Sequence, residues 1–265
     1  MAKVRIAVNG AAGRMGQRLV SLASIDPELE VAAALESPQH PRFADDAGIV
    51  AGVGSLNLPF AKSLEGNVDV AVDFSVPTAT EAIATVCYEH AIPLVVATTG
   101  LSDRQQSQLR RASEKIPLIW APNMSRAVNL TMKLAEVAGT TLKDDSSGVD
   151  VEIVEQHHRY KEDAPSGTAL RFGEIVAAVM GQTEHVHGRH GRPGKRPPSE
   201  IGYHALRVGD DPGQHRIVFG MLGERIELTV RASSRDCYAL GALAAAKFVV
   251  KQSPGLYSMY DVLGL

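Results

Sequence analysis

Short apolar runs alternate with helical patterns through the first 120 residues. Residues 4–8 (V-R-I-A-V) form a β-rich run that meets Asn9-Gly10. A helical pattern over 14–24 follows, with Met15, Leu19, Val20 and Leu22 available for one face. A second apolar run covers 31–35 and ends at Glu36. The alternation continues with strands at 68–74, 92–97 and 116–120 and helices at 78–90 and 103–115. Such repetition predicts a parallel sheet with helices on both faces. Residues 37–64, broken by Pro38, Pro41, Gly48, Gly52, Gly54 and Pro59, read as a loop with one short strand.

The pattern changes after Ser125. Residues 127–141 read as an amphipathic helix. Residues 149–154 (V-D-V-E-I-V) then alternate as a half-buried strand does. Similar runs at 201–208, 215–221 and 224–232 bring the count to four strands with few helices between them. They predict an open, antiparallel or mixed sheet that buries one face against helices and offers the other to a second subunit. The Ala-rich helical run at 241–251 suits the first domain again. The expected organisation is α/β: a Rossmann-like dinucleotide-binding domain at 1–125 and 237–265, and an α+β substrate-binding and oligomerisation domain at 126–236 with an open mixed sheet. The two crossings would form a hinge able to close over a substrate.

Composition narrows the function. The 265 residues are 45% hydrophobic, with a net charge of −3 and 5% aromatics. Neither a nucleic-acid partner nor an anionic membrane surface is expected from such a balance. Two cysteines make no disulfide framework, and the opening apolar run is too short for a signal peptide. No run approaches the ~20 apolar residues of a membrane helix. A cytoplasmic enzyme is the expectation.

The turn between the first strand and helix carries the first chemistry. Gly10, Gly13 and Gly16 are spaced G-x-x-G-x-x-G, not the commoner G-x-G-x-x-G. Gly10 permits a tight exit from the strand, Gly13 lets backbone approach a pyrophosphate, and Gly16 lets the helix pack close to the sheet. The helix N-terminus presents N–H groups and a positive dipole end to phosphates. Glu36, ending the second strand, can accept from ribose hydroxyls. Its carboxylate repels a 2′-phosphate and favours NADH, whereas Arg14 in the turn admits NADPH. Three loops lie where ligands of parallel sheets sit, beyond the carboxyl ends of the strands: 73–77, 97–100 and 121–124.

Residues 155–168 (E-Q-H-H-R-Y-K-E-D-A-P-S-G-T) gather cations beside a helix start. Such a cluster suits a small carboxylate substrate, with Ser166 as N-cap. On a strand, His157 and His158 would face opposite sides, so a shared pocket requires the strand to have ended between them. The Gly/Pro/basic stretch at 181–198 contains His185, His187 and His190. With no completed ligand set it reads as a mobile loop or lid, and no metal is expected.

The chain resembles the dihydrodipicolinate (4-hydroxy-tetrahydrodipicolinate) reductase family nearly end to end. The likeness runs through V-N-G-A-A-G-R-M-G at 8–16, A-T-T-G at 97–100, A-P-N-M-S at 121–125, and E-Q-H-H-R-Y-K with D-A-P-S-G-T-A between 155 and 169. It implies a cytoplasmic, homotetrameric reductase of lysine and diaminopimelate biosynthesis that uses NADH and/or NADPH on a small cyclic dicarboxylate. By that resemblance His157 is the general acid and Lys161 a second catalytic group. His158, Lys161, Gly167 and Thr168 hold the substrate. Gly10, Ala11, Ala12, Gly13, Arg14, Met15, Glu36, Ala97, Thr98, Thr99, Ala121, Pro122, Asn123 and Met124 line the cofactor site. Tyr160 stands where many members have histidine, and Ser37 and Val76 where some carry a basic residue. A related imine or aspartate-type dehydrogenase and a non-catalytic NAD(H)-sensing protein are the competing readings.

Overall fold

The computed structural model describes residues 2–265. These form two compact units: one runs to Arg126 and resumes at Arg235–Leu265, the other is Ala127–Ser234. The first begins β1 (Val4–Asn9), α1 (Arg14–Ile25), β2 (Leu29–Leu35), α2 (Ala47–Ala51) and β3 (Phe60–Ala61). It continues β4 (Val70–Asp73), α3 (Pro77–His90), β5 (Leu94–Val96), α4 (Asp103–Ser113) and β6 (Pro117–Trp120). The stretch expected to be a loop with a short strand thus also holds a helix. Asp46 builds it: one carboxylate oxygen caps Gly48 and Ile49, and the same side chain also accepts from the N–H groups of Leu56 and Leu58.

The second unit follows α5 (Arg126–Leu142) with β7 (Asp150–His157), α6 (Gly167–Met180), β8 (Glu184–His187), β9 (Glu200–Arg207), β10 (Gln214–Gly220) and β11 (Arg225–Arg231). The sheet has five strands, not four, in the order β11-β10-β7-β9-β8. It is mixed: β10 runs antiparallel to β7 and β11, while β9 runs parallel to β7 and β8. β8 lies inside the stretch expected to be a mobile loop or lid. The rest of that stretch is pinned by arginines: Arg189 and Arg196 both pair with Glu152, Arg196 with Asp150, and Arg189 with Glu200. These carboxylates lie up to 46 residues away, so no local pattern announces the pairing. One face of the sheet, from Val151, Ile153, Tyr203, Ile217 and Phe219, is buried with Phe172 and Val176 of α6. At Gly173 an added Cβ would lie 1.6 Å from the Tyr203 hydroxyl, so the helix sits directly on β9.

The chain returns to the first unit as α7 (Asp236–Val249), β12 (Gly255–Tyr257) and α8 (Met259–Leu263). β12 completes a parallel seven-stranded sheet, β12-β6-β5-β4-β1-β2-β3, and the fold is Rossmann-like. Successive strand residues enter different cores, as the period of two demands. Ile6, Val8, Val70 and Val72 pack in a cluster with residues of α1 and α7. Ala7, Ala71, Leu94 and Val96 pack in another with residues of α3 and α4. α7 approaches so closely that a Cβ on Gly241 would fall 1.8 Å from the Met124 carbonyl oxygen.

Candidate active site

In the first unit the predicted cofactor residues collect at the carboxyl ends of β1, β2, β5 and β6. Gly10 has φ of +77°, and a Cβ there would meet the Phe74 carbonyl at 2.9 Å. A Cβ on Gly16 would lie 2.1 Å from the Gly10 carbonyl oxygen, so α1 abuts the turn. Gly13 is the N-cap of α1. It offers no side-chain acceptor, and the first helical turn has no acidic residue. An uncapped N-terminus over a glycine turn fits the pyrophosphate of a dinucleotide, because its N–H groups and dipole remain available to an anion. Arg14 is exposed beside it. The Glu36 carboxylate accepts from the Ala12 N–H at 3.0 Å and the Ser37 N–H at 2.8 Å. Glu36 therefore shapes the turn as well as ending β2.

Asp73, the last residue of β4, organises the neighbouring loops. It is fully buried and accepts from Asn9 Nδ2 (2.7 Å), Ser75 Oγ (2.5 Å), Thr80 Oγ1 (2.6 Å) and Thr98 Oγ1 (2.7 Å). Thr98 also accepts from the Ser75 N–H. One carboxylate thus ties β1, the loop after β4 and the loop after β5 together. Thr99 and Pro122 are exposed at the loop tips. Ala97, Ala121 and Met124 are buried, all three in the core. The structure does not bring the Met124 side chain to the surface. Asn123 turns back on its own loop, accepting from the Ser125 N–H.

In the second unit, β7 carries the chemistry on one face. Val151, Ile153, Glu155 and His157 alternate inward, and register places His215 opposite Glu155 and Arg207 opposite His157. His157 Nδ1 lies 2.6 Å from Glu155 Oε2. Arg207 donates to both Glu155 oxygens, at 2.9 and 2.8 Å, and the Ser166 N–H donates to Oε1 at 3.1 Å. Burial pushes the Glu155 carboxyl up, but the hydrogen bonds from His157 and Arg207, with their charges, outweigh it and hold it down at about 2. For His215, burial leads and the charges of His157 and Lys161 assist; against the opposing pull of the Glu155 carboxylate they lower it to about 4, so it is neutral near pH 7. Its Nε2 lies 3.0 Å from Ser166 Oγ, which caps α6 by accepting from the Ala169 N–H. Glu155 and His215 therefore dock the start of α6 beside His157.

β7 ends at His157, so His158 is released from the strand alternation. The backbone there is clamped by the 209–213 connection: the His158 N–H donates to the Asp211 carbonyl and the Arg159 N–H to that of Gly209. His158 Nδ1 is buried with no hydrogen-bond partner. Lys161 Nζ forms an ion pair with Asp163 at 2.7 Å. Gly167 is exposed at the α6 N-terminus, with Thr168 half-buried next to it. Tyr160 projects into solvent, 78% exposed. His185 and His187 stack on Tyr203.

Four residues that organise the candidate site escaped the sequence reading: Asp73, Glu155 as a partner, Arg207 and His215. Glu155 was within reach, since a period of two places it on the face of His157. Arg207 and His215 required the strand register.

Comparison with known proteins identifies the family. The family model for the N-terminus of dihydrodipicolinate reductase matches residues 4–124, and that for its C-terminus matches 127–263. A 4-hydroxy-tetrahydrodipicolinate reductase from Rhodopirellula baltica is 52% identical over 270 residues, covering 99% of this chain and 96% of that protein. One from Alkalilimnicola ehrlichii is 45% identical over 267 residues, covering 98% and 99%. The solved structure of a dipicolinate-bound dihydrodipicolinate reductase from Paenisporosarcina sp. TG-14 superposes with a TM-score of 0.79 at 25% identity, covering 98% of both chains. An amine dehydrogenase from Mycobacterium smegmatis shares the fold alone, with a TM-score of 0.61 at 12% identity. The chain belongs to the dihydrodipicolinate reductase family, the 4-hydroxy-tetrahydrodipicolinate reductases of lysine and diaminopimelate biosynthesis.

Proposed function

We propose that His157 is the general acid of this reductase, that His158 and Lys161 hold one substrate carboxylate, and that the N–H groups of Gly167 and Thr168 hold the other. A single observation carries the reading: the buried Glu155 carboxylate binds both the His157 ring and the start of α6, which brings an acid and an anion cradle to one place. The ligand named for the Paenisporosarcina relative, dipicolinate, is a ring with two carboxylates, and two separate anion-binding elements suit such a molecule.

The nicotinamide cofactor, when bound, supplies a hydride to the conjugated C=C–C=N system of the substrate. The added electron pair moves toward the ring nitrogen, and a ring carbon then takes a proton. With both ring nitrogens protonated, His157 delivers that proton from Nε2, the nitrogen away from Glu155, and is left as the neutral Nδ1–H ring. Lys161 neutralises a carboxylate and is the second candidate donor. To do so its ammonium exchanges Asp163 for the substrate. Gly10, Ala11, Ala12, Gly13, Arg14 and Met15 would hold the pyrophosphate, and Glu36 the adenosine ribose. Loops 97–99 and 121–124 would line the nicotinamide. NADH is the preferred form, supported by the Glu36 carboxylate and by the absence of a basic residue at Ser37 and Val76. Arg14 admits NADPH. The enzyme is read as a cytoplasmic homotetramer by its family likeness, and the outward face of the five-stranded sheet, which carries Val154, Val218 and the exposed Leu206, supports pairing with another subunit.

The test is an assay coupled to a dihydrodipicolinate-producing synthase, run with NADH and NADPH side by side. NADH should give the higher kcat/KM. His157→Gln should lower kcat about 100-fold, and Lys161→Ala should both lower kcat and raise KM. No cofactor oxidation by the unaltered enzyme would sink the reading, and a fully active His157→Gln would remove the acid.

A further inference from the structure

We propose that Glu155 is the positioning residue for His157: it fixes the imidazole as the Nδ1–H tautomer and leaves Nε2 as the atom that exchanges a proton with substrate. The inference rests on the acid role of His157 given above, and its tautomer can be measured apart from that role.

Strand geometry supplies the pairing. Glu155 and His157 are two residues apart on β7 and share its inner face. Both are buried, Glu155 at 1% and His157 at 7% exposure. The donor count then decides the tautomer. An ionised carboxylate only accepts, and Glu155 already receives two bonds from Arg207 and one from the Ser166 N–H. The short contact to His157 Nδ1 is favourable only if Nδ1 carries the hydrogen. An unprotonated Nδ1 would set a lone pair against a buried carboxylate oxygen 2.6 Å away.

The remaining surroundings hold the ring without occupying Nε2. The His215 ring stands edge-on at 5.2 Å and 75°. Gly213, with φ of +139°, passes so close that a Cβ there would lie 2.7 Å from Nε2. A side chain at 213 would crowd the one nitrogen that Glu155 leaves available. Arg207 has a second part. Its bidentate pair neutralises Glu155, so the buried pair as a whole carries no net charge. Glu155 then orients the imidazole without adding an unbalanced negative charge behind it.

Nitrogen-15 spectra of the imidazole rings in the full-length enzyme, recorded above the histidine titration range, test this directly. The expected result is a pyrrole-like Nδ1 and a pyridine-like Nε2 for His157, with assignment by loss of the signals in His157→Gln. In Glu155→Gln the amide can turn its NH₂ toward Nδ1, so the ring should become a mixture or reverse. Turnover should then fall by about 10-fold or more in kcat, up to about 10⁴-fold, the loss seen when a carboxylate-to-amide change leaves a catalytic histidine in the wrong tautomer, with substrate KM within about threefold. Three results overturn the proposal: an Nε2–H tautomer in the unaltered enzyme, an unchanged ring in Glu155→Gln, or a loss confined to KM. If Glu155→Gln does not fold, the spectrum of the unaltered enzyme still decides. A correct tautomer together with a fully active His157→Gln would reject the acid role and leave the positioning intact.

Discussion

Glu152 and Glu155 lie three residues apart on β7, on opposite faces, and each is a carboxylate that burial pushes up and hydrogen bonds bring back to about 2. Glu152 receives Arg189, Arg196 and His204 and holds the basic stretch after β8. Glu155 receives Arg207, His157 and the start of α6. The same balance therefore serves anchoring on one face and chemistry on the other. Ser166 is the residue through which the helix joins that chemistry. Its hydroxyl caps the Ala169 N–H at 3.1 Å and meets His215 at 3.0 Å. Ser166→Ala removes both contacts and should cost about 1–2 kcal/mol, the upper part of the range for losing an N-cap. A urea midpoint measures that loss. Because the helix start is the proposed carboxylate cradle, substrate KM should rise several-fold while kcat holds. A fall in kcat at constant KM would place Ser166 in the proton transfer instead.

The long elements were legible because their apolar residues repeat. β1, α1, β2, α3, α4, β6 and α5 begin and end within two residues of the pattern. The elements that were missed have no repeat to read. α2 and α8 have five residues each, β8 four and β12 three, and the two strands exist because a neighbour supplies the ladder. β7 shows the same limit at the site. Its apolar alternation stops at Val154, yet the strand continues to His157. The inward positions there are filled by Glu155 and His157, polar groups whose burial requires Arg207, His215 and Ser166. Arg207 is 52 residues from Glu155, so no local pattern announces it. The sequence motif marks the candidate catalytic stretch, while the register of β7 with β9 and β10 brings its partners beside it. Helix-to-sheet contact can be tested at Gly173, where a methyl group would collide with the Tyr203 hydroxyl. Gly173→Ala improves helix propensity by up to about 1 kcal/mol. Overpacking costs about 1–3 kcal/mol and should win, because Tyr203 is only 2% exposed and cannot swing away. A lower Tm is the expected readout; an unchanged or higher Tm would show that α6 can lift from β9 freely.

Across the molecule, the large acid-sensitive shifts concentrate in one unit. Glu152, Glu155 and His215 all lie within Ala127–Ser234. The lone tryptophan, Trp120, lies on β6 of the other unit. His215 sets the first window. Its folded value, about 4, is below the ordinary 6.5, so between those values the unfolded chain binds more protons than the folded one. Stability then rises with pH across the window and falls as pH drops from 6.5 toward 4. The full shift corresponds to roughly 3 kcal/mol. Glu155 and Glu152 act lower. Their folded values are depressed to about 2 from 4.5, so their contribution is complete above 4.5 and is lost as pH falls toward 2. At pH 5 the carboxylates still stabilise in full, while roughly half of the His215 contribution is already lost. Urea unfolding at pH 7 and pH 5 should therefore show a large loss in amide protection of β7, β9 and β10, with a smaller shift in Trp120 fluorescence. His215→Gln, which cannot take up that proton, should flatten the difference between the two pH values for the second unit. Equal shifts of both probes, persisting in His215→Gln, would assign the acid sensitivity to the molecule as a whole and not to the histidine beneath the start of α6.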